Sequence, residues 1–195
     1  MSSHVTKYED GLTRCLWPRN DELYIHYHDT EWGVPLVGDD AMFERVALEG
    51  FQAGLSWITI LRRRENFRKA FKNFEIAKVA RMNDKDVEKL MGNEGIIRNR
   101  AKIASTISNA KLTLKLEGSL SEIIWSHAPK VRTKRVSAEK FEYDAISPES
   151  EALSKTLRKL GFSFVGPTTM YALMQSIGMV NDHAPGCFRR NQLQD

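Results

Sequence analysis

Apolar residues along the chain recur at three- and four-residue spacing, and no run of alternating apolar and polar residues stands between turn signals. That spacing follows the 3.6-residue turn of a helix, so the expected fold class is all-α. Asp39-Asp40 ahead of Met42, Phe43, Val46 and Ala47 reads as an acidic helix start followed by a core-facing stripe, weakened toward its end by Gly50 and Gly54. Ser56 is placed to cap a helix that buries Trp57, Ile60 and Leu61. Asn83 or Asp84 opens a short helix through Leu90 and Met91, and Gly92 closes it. A longer helix over about 99–116 sets Ile103, Ile107, Ala110 and Leu114 on one face and ends at Gly118. Ser147-Pro148-Glu149 supplies a cap, a proline at the first helical position and an early carboxylate, with Gly161 just past the end. Pro167 and Gly178 bracket a helix containing Tyr171, Leu173, Met174 and Ile177, and the charged, aperiodic segment 130–146 is expected to be a long surface connection.

At 195 residues, with 42% apolar and 28% charged side chains, the chain has the size and mixture of one globular domain. The expected layout is a flexible tail over 1–13, a single helical domain over 14–187 and a short tail over 188–195. The apolar stretch Leu55-Ser56-Trp57-Ile58-Thr59-Ile60-Leu61 stops at charge well before the roughly 18 residues that would cross a bilayer. Residues 1–13 lack the apolar segment of a secretory signal, so no membrane association and a cytoplasmic location are expected. The net charge of +4 permits an anionic partner without demanding one. The excess is gathered in Arg62-Arg63-Arg64, in Arg98-Asn99-Arg100-Ala101-Lys102 and in Lys130-Val131-Arg132-Thr133-Lys134-Arg135. Such runs serve equally as solvated surface.

Two cysteines cannot make a disulfide framework, but each has a histidine near it. Cys15 precedes His28 by thirteen positions, and His183-Ala184-Pro185-Gly186-Cys187 stands at the other end. Pro followed by Gly is the signature of a type II turn over Ala184 to Cys187, which brings the thiol back toward His183. Two thiolates and two imidazoles are a full tetrahedral set for zinc. On spacing alone, two unrelated buried cysteines and two satisfied histidines explain the pattern as well. Four protein ligands would leave no open position, so such a zinc would be structural and would staple distant chain segments together.

Several ordered segments carry a resemblance. Arg14-Cys15-Leu16-Trp17, Leu23-Tyr24-Ile25-His26-Tyr27-His28-Asp29, Glu31-Trp32-Gly33-Val34-Pro35 and Leu48-Glu49-Gly50-Phe51-Gln52-Ala53-Gly54-Leu55-Ser56-Trp57 closely resemble the bacterial 3-methyladenine DNA glycosylase I family. Gly95-Ile96-Ile97-Arg98, Gly161-Phe162-Ser163-Phe164-Val165-Gly166 and Val180-Asn181-Asp182-His183 extend the match, which runs from about Arg14 to Cys187. The resemblance implies a helix-hairpin-helix DNA-repair fold that hydrolyses the glycosidic bond of N3-methyladenine. It implies a monomer acting on double-stranded DNA with alkylated bases, and a bound zinc held by Cys15, His28, His183 and Cys187.

The chemistry of that reaction can be set against the residues. Methylation at N3 makes the base cationic in its nucleoside, so the bond to the sugar is already weak and the enzyme must chiefly select. It has to extrude the nucleotide and hold the base between flat rings, and a cationic base favours electron-rich faces and a nearby carboxylate. By the resemblance Glu49 contacts the base, Tyr27 and Trp57 stack on it, and Trp32 and Trp17 wall the pocket. Read as residues alone, these aromatics are core and Glu49 is an exposed helical carboxylate. Many relatives with the hairpin carry an aspartate that stabilises an oxocarbenium-like state. Here no aspartate lies between Gly95 and Asp144, which fits the 3-methyladenine group. Glu49 or no protein base is left for the water, with DNA phosphates stabilising the sugar cation in the second case. No lysine is marked to attack the sugar, so base removal without strand cleavage is expected. The resemblance further implies that Gln52, Gly54 and Leu55 probe the gap left by the base, with Leu55 as a wedge and Phe51 departing from the family's frequent glutamine. Asn93-Glu94-Gly95-Ile96-Ile97 would be the hairpin that the resemblance implies, with only one glycine of the common pair, and Gly95, Arg98 and Lys102 are expected to meet the phosphate backbone. The competing reading is a non-catalytic, zinc-stapled helical module that binds DNA or senses alkylated bases.

Overall fold

Short polar side chains set the starts of the helices in this computed structural model, which describes residues 4–133 and 136–193. The chain divides into two compact units. One gathers residues 1–35, 128–145 and 174–195, and the other residues 36–127 and 146–173.

The second unit holds α2 (Asp39–Gln52), α3 (Trp57–Leu61), α4 (Arg64–Ala70), α5 (Ile76–Val79), α6 (Asp84–Met91), α7 (Arg100–Thr113), α8 (Leu120–Trp125), α9 (Pro148–Lys159) and most of α10 (Pro167–Ser176). Asn83 and Asp86 close a reciprocal capping box on α6, and Ser147 and Ser150 do the same on α9. Asn99 caps α7 and Ser119 caps α8. Each such bond satisfies an amide that the helix leaves unpaired and is worth about 1 kcal/mol. Ser56 precedes α3 as expected, but its hydroxyl meets that of Thr59 at 2.8 Å instead of a backbone amide.

A ladder of buried phenyl rings fills the interior. Phe51 lies 4.6 Å from Phe67, Phe71 lies 5.6 Å from Phe74, and Phe74 lies 6.2 Å from Phe43 by ring centroids. These are the separations of offset or edge-on aromatic pairs. The expectation for α7 needs correction. The helix stops at Thr113, and Leu114 is 59% exposed, so it does not share the face of Ile103, Ile107 and Ala110. The burial of α7 extends instead to Ser105, Thr106, Asn109 and Thr113. Thr106 and Thr113 donate their hydroxyls to carbonyls four residues back, at 2.9 Å each, which removes the cost of burying them.

The first unit is less helical. β1 (Val5–Lys7) pairs antiparallel with β2 (Thr13–Cys15), with Val5 opposite Cys15. α1 (Glu22–Thr30), a 3-10 turn over Ala138–Lys140, the end of α10 and α11 (Phe188–Gln192) are its other regular elements among the described residues. The chain is therefore mostly helical with one small sheet, where periodicity points to helices alone. Residues 5–7 form a strand within the segment read as a tail, and 188–192 form a helix within the other. Three-residue strands are too short to show alternation.

The segment 130–146 buries Phe141 at 1% exposure, 5.4 Å from His4 and 5.0 Å from Tyr143. Within it Arg132 donates to the carbonyls of Gly178 at 2.7 Å and Gly33 at 3.3 Å, so this member of a basic cluster holds backbone in place. Lys134 and Arg135 of that cluster lie outside the described residues. Among the described residues no helix is long and apolar enough to cross a membrane.

Gly178 has φ of +76°, and a Cβ there would stand 2.6 Å from the Gly33 carbonyl oxygen and 2.7 Å from Val34 backbone. Both the left-handed backbone and the contact exclude a side chain. Gly178→Ala should therefore destabilise the protein by about 2 kcal/mol or more in urea unfolding. A change under about 0.5 kcal/mol would show that the backbone approach is not as tight as described.

Candidate active site and metal centre

α1 starts because the Asp21 carboxylate accepts from the Tyr24 amide at 3.0 Å, and it presents Tyr24, Tyr27 and His28 from one short helix. Cys15 ends β2 and Cys187 caps α11. The ligand atoms of Cys15, His28 and Cys187 lie within 4.8 Å of one another, and all three residues are buried. His28 Nε2 is 3.5 Å from Cys187 Sγ, and Cys15 Sγ accepts from the Ala184 amide at 3.3 Å. The expected turn is present, with the Cys187 amide donating to the Ala184 carbonyl at 2.9 Å and Gly186 at φ +92°.

Three of the four residues read as zinc ligands thus converge, and the fourth stands beside them. The His183 ring meets the His28 ring edge-on at 4.9 Å. Its Nδ1 is 3.0 Å from Asn181 Oδ1, while its Nε2 is buried without a hydrogen-bond partner. Burial and the neighbouring His28 push the His183 pKa down to about 2, so the ring is a neutral donor. The contact with the Cys15 thiol, aided by His28, holds the Cys187 thiol below the ordinary range of a cysteine. His28 Nδ1 lies 2.7 Å from Asp29 Oδ1, and Arg14 grips the same carboxylate at 2.8–3.0 Å. A carboxylate behind a ligating imidazole fixes its tautomer and orientation. Two thiols, two imidazoles, one orphaned ring nitrogen and a carboxylate backing fit a closed tetrahedral metal centre. The backing residues Asp29, Asn181 and Arg14 were not singled out from sequence. Their signal is adjacency to the ligands, as in His28-Asp29.

The same imidazoles form one side of an aromatic cluster. Trp17 sits at its centre, 4.6 Å from Tyr24, 6.4 Å from Tyr27, 5.1 Å from Trp32 and 5.2 Å from His28. Trp32 lies 4.5 Å from His183. The expected wall residues Trp17 and Trp32 and the stacking residue Tyr27 are therefore grouped in the first unit, with Trp17 and Trp32 packed on the candidate ligands and Tyr27 on Trp17.

In the second unit, Glu49 is 3% exposed, one turn before the end of α2. This sets aside its plainer reading as a surface carboxylate, because a carboxylate is left this deeply buried only at a cost. Trp57 opens α3 and is also buried. Between them Ala53, Gly54, Leu55 and Ser56 are exposed, Gly54 has φ of +84°, and the Leu55 amide closes the turn on the Gln52 carbonyl at 2.6 Å. Leu55 projects from this turn at 42% exposure.

The hairpin lies between α6 and α7. The Gly95 amide goes to Asn93 Oδ1 at 2.9 Å, and a Cβ on Gly95 would stand 3.0 Å from the Asn66 side chain. The amides of Ile97, Arg98, Arg100 and Ala101 enter no hydrogen bond among the described residues. Arg98 is about half exposed and 3.7 Å from Glu94. Lys102, expected with it at the phosphates, is placed elsewhere: it is 8% exposed and donates to the carbonyls of Ala53 at 2.6 Å and Phe51 at 3.0 Å. Sequence reading missed a groove of about 350 Å³ beside the hairpin, lined in part by Lys69, Lys72, Lys89, Gly92 and Asn93.

These features can now be set beside known proteins. A family described as methyladenine glycosylase matches residues 17–190, and the chain belongs to that family. It is 46% identical over 182 residues to DNA-3-methyladenine glycosylase 1 of Escherichia coli, covering 90% of this chain and 96% of that protein. A crystal structure of a 3-methyladenine DNA glycosylase I matches with a TM-score of 0.85 at 47% identity, over 90% of this chain and 98% of the other. The Staphylococcus aureus glycosylase I, in a structure on 3-methyladenine recognition, matches at 0.84 and 34% identity over 91% and 96%.

One of the matching segments, Gly161 to Gly166, is clamped by Asn109. The Ser163 amide donates to Asn109 Oδ1 at 3.0 Å and Asn109 Nδ2 donates to the Ser163 carbonyl at 3.1 Å. Asn109→Leu removes both bonds in a buried place, and about 2–4 kcal/mol of stability should be lost in denaturant unfolding. A variant as stable as the parent would show that the clamp is not needed.

Proposed function

We propose that this chain is a monofunctional DNA glycosylase that hydrolyses the N-glycosidic bond of N3-methyladenine in alkylated double-stranded DNA and leaves an abasic site. The observation that carries the reading is the buried carboxylate of Glu49 in a chain of the methyladenine glycosylase family. Its relatives bear that activity in their names.

In this reading Glu49 faces the positive charge of the methylated base, Tyr27 and Trp57 stack on it, and Trp17 and Trp32 wall it. Indole and phenol faces attract a cation and discriminate against neutral adenine. The methyl group has already made the base a good leaving group, so selection and extrusion are the larger tasks. Gln52, Gly54 and Leu55 enter the duplex, with Leu55 as the wedge that fills the vacated stack. Beyond Gly95, the four amides around Arg98 receive a phosphate, and Arg98 adds salt-dependent attraction. The lysines of the neighbouring groove extend that positive surface.

Lys102 donates to two carbonyls and Lys111 is exposed, so neither is poised to attack the sugar and cut the strand. Two carboxylates are the usual equipment for glycoside hydrolysis. Glu49 alone, or the DNA phosphates acting on the sugar cation, supports the water step here.

Cys15, His28, His183 and Cys187 would hold a zinc ion whose contribution is structural cross-linking. The residues do the rest: α1 is fixed by His28, and the Tyr27 next to it is fixed with it.

The deciding experiment is chromatography of the base released from methylated DNA, followed by a check for nicks. Free N3-methyladenine with intact, alkali-labile strands is the expected result, whereas DNA binding without release identifies a non-catalytic module. Glu49→Gln keeps the shape and removes the charge, and excision should fall roughly 100-fold or more with the melting temperature unchanged. Parent-like kinetics in that variant would remove Glu49 from the site. Cys187→Ala should lose both metal, by elemental analysis, and thermal stability; an unchanged metal content contradicts the centre.

A further inference from the structure

The glycosylase reading has no task for the ammonium group of Lys102. A lysine at the start of a basic helix next to a hairpin belongs, by position, to the phosphate contacts. Its burial and its partners say otherwise. From the first turn of α7 the side chain crosses to the end of α2, where Nζ stands 3.0 Å from the Phe51 carbonyl and 2.6 Å from the Ala53 carbonyl. The last carbonyls of a helix have no partners within it and carry the negative end of its dipole, so a cation is the natural cap. Phe164 lies over the same ammonium at 5.9 Å and is itself held at φ +59°. A bulky residue in that backbone region marks a place where the surroundings outweigh local strain.

The two ends that Lys102 joins belong to different tasks. α7 begins directly after the hairpin whose amides receive the phosphate, and α2 runs directly into the exposed turn that carries Leu55. We infer that Lys102 is a positioning residue: by gripping the Phe51 and Ala53 carbonyls from α7, it sets the Leu55 turn in register with the hairpin, so that phosphate contact and entry into the duplex occur together. This rests on the glycosylase reading, in which residues 52–55 probe the DNA.

The test uses Lys102→Met, which keeps the stem and loses the cation, with Arg98→Ala and Leu55→Ala as comparators. Base release by the parent from methylated duplex DNA is measured first, since its absence would sink the glycosylase reading itself. Binding of the parent and variants to an undamaged duplex oligonucleotide is then followed against salt. Lys102→Met should keep the parent's slope of log affinity on log salt, whereas Arg98→Ala should lower its magnitude by about 0.9, the value of one phosphate contact. At saturating methylated duplex, Lys102→Met should release base about 10–100-fold more slowly, the penalty of a misplaced group away from the chemistry. Its affinity for free 3-methyladenine should match the parent, because Glu49 is left in place. In the Leu55→Ala background, Lys102→Met should cost no more than about twofold further, since both changes act through one side chain.

A slope lowered by about 0.9 with an unchanged saturated rate would make Lys102 a phosphate contact and overturn the inference. Effects of Lys102→Met and Leu55→Ala that multiply would overturn it, as would a free-base affinity lost together with excision. If Lys102→Met does not fold, Lys102→Gln, which replaces the ammonium with a shorter, neutral amide donor, is read by the same measurements.

Discussion

The first unit depends on the buried meeting of Cys15, His28 and Cys187. Among the described residues its regular elements are two three-residue strands, the short helices α1 and α11, a single 3-10 turn over Ala138–Lys140 and the end of α10, and it is assembled from three separate stretches of chain. Small folds of this kind rely on cross-links. The contacts at the cluster join residues 159 and 169 positions apart, so whatever closes it removes a large loop entropy. The aromatic side chains inherit their orientation from it, because Trp17 and Trp32 pack on the rings of His28 and His183. A cluster of indoles and phenols is thereby held by buried cysteine and histidine side chains.

The second unit is held differently, by hydrophobic burial, with single polar side chains fastening its irregular backbone. The phenyl ladder supplies the interior. Lys102 then fastens the end of α2, Asn109 the Ser163 segment, and Asp39 the start of α8 through the Ser119 hydroxyl and the Ser121 amide. Arg132 plays the same part in the first unit at Gly33 and Gly178. In each case a side chain satisfies backbone groups that no helix can, which keeps irregular segments as ordered as the regular ones. The segments fastened in the second unit include those that resemblance marks as functional.

Much of this architecture was legible in the sequence. The helix starts at Asn83 or Asp84 and at Ser147 declare themselves because a short acceptor before an apolar repeat has few other uses, and Asn83 and Ser147 do cap. The Pro185-Gly186 turn announces itself by a residue pair well suited to it. Periodicity failed where burial is not one-sided: α7 is covered by neighbours over polar as well as apolar residues, so its stripe extended too far, to Leu114. It failed again where elements are too short for any period, as in β1, β2 and α11. For the site, residue types suggested the metal ligands, and resemblance supplied the roles of Glu49 and Tyr27. Lys102 was misplaced because a lysine's position in sequence reports where its backbone lies, while its long stem decides where the charge goes.

The discontinuity of the first unit bears on the order in which the molecule can be made. As the chain is synthesised, the long run from 36 to 127, which supplies most of the second unit, emerges with its phenyl ladder complete. Cys15 and His28 are exposed earlier still, yet Cys187 follows them only after nearly all the rest. Until then the Cys15 thiol and the His28 imidazole wait without the residue that closes the cluster. The ring cluster of Trp17, Tyr27 and Trp32 can settle only when the last segment arrives, which makes the aromatic face the latest part of the protein to mature.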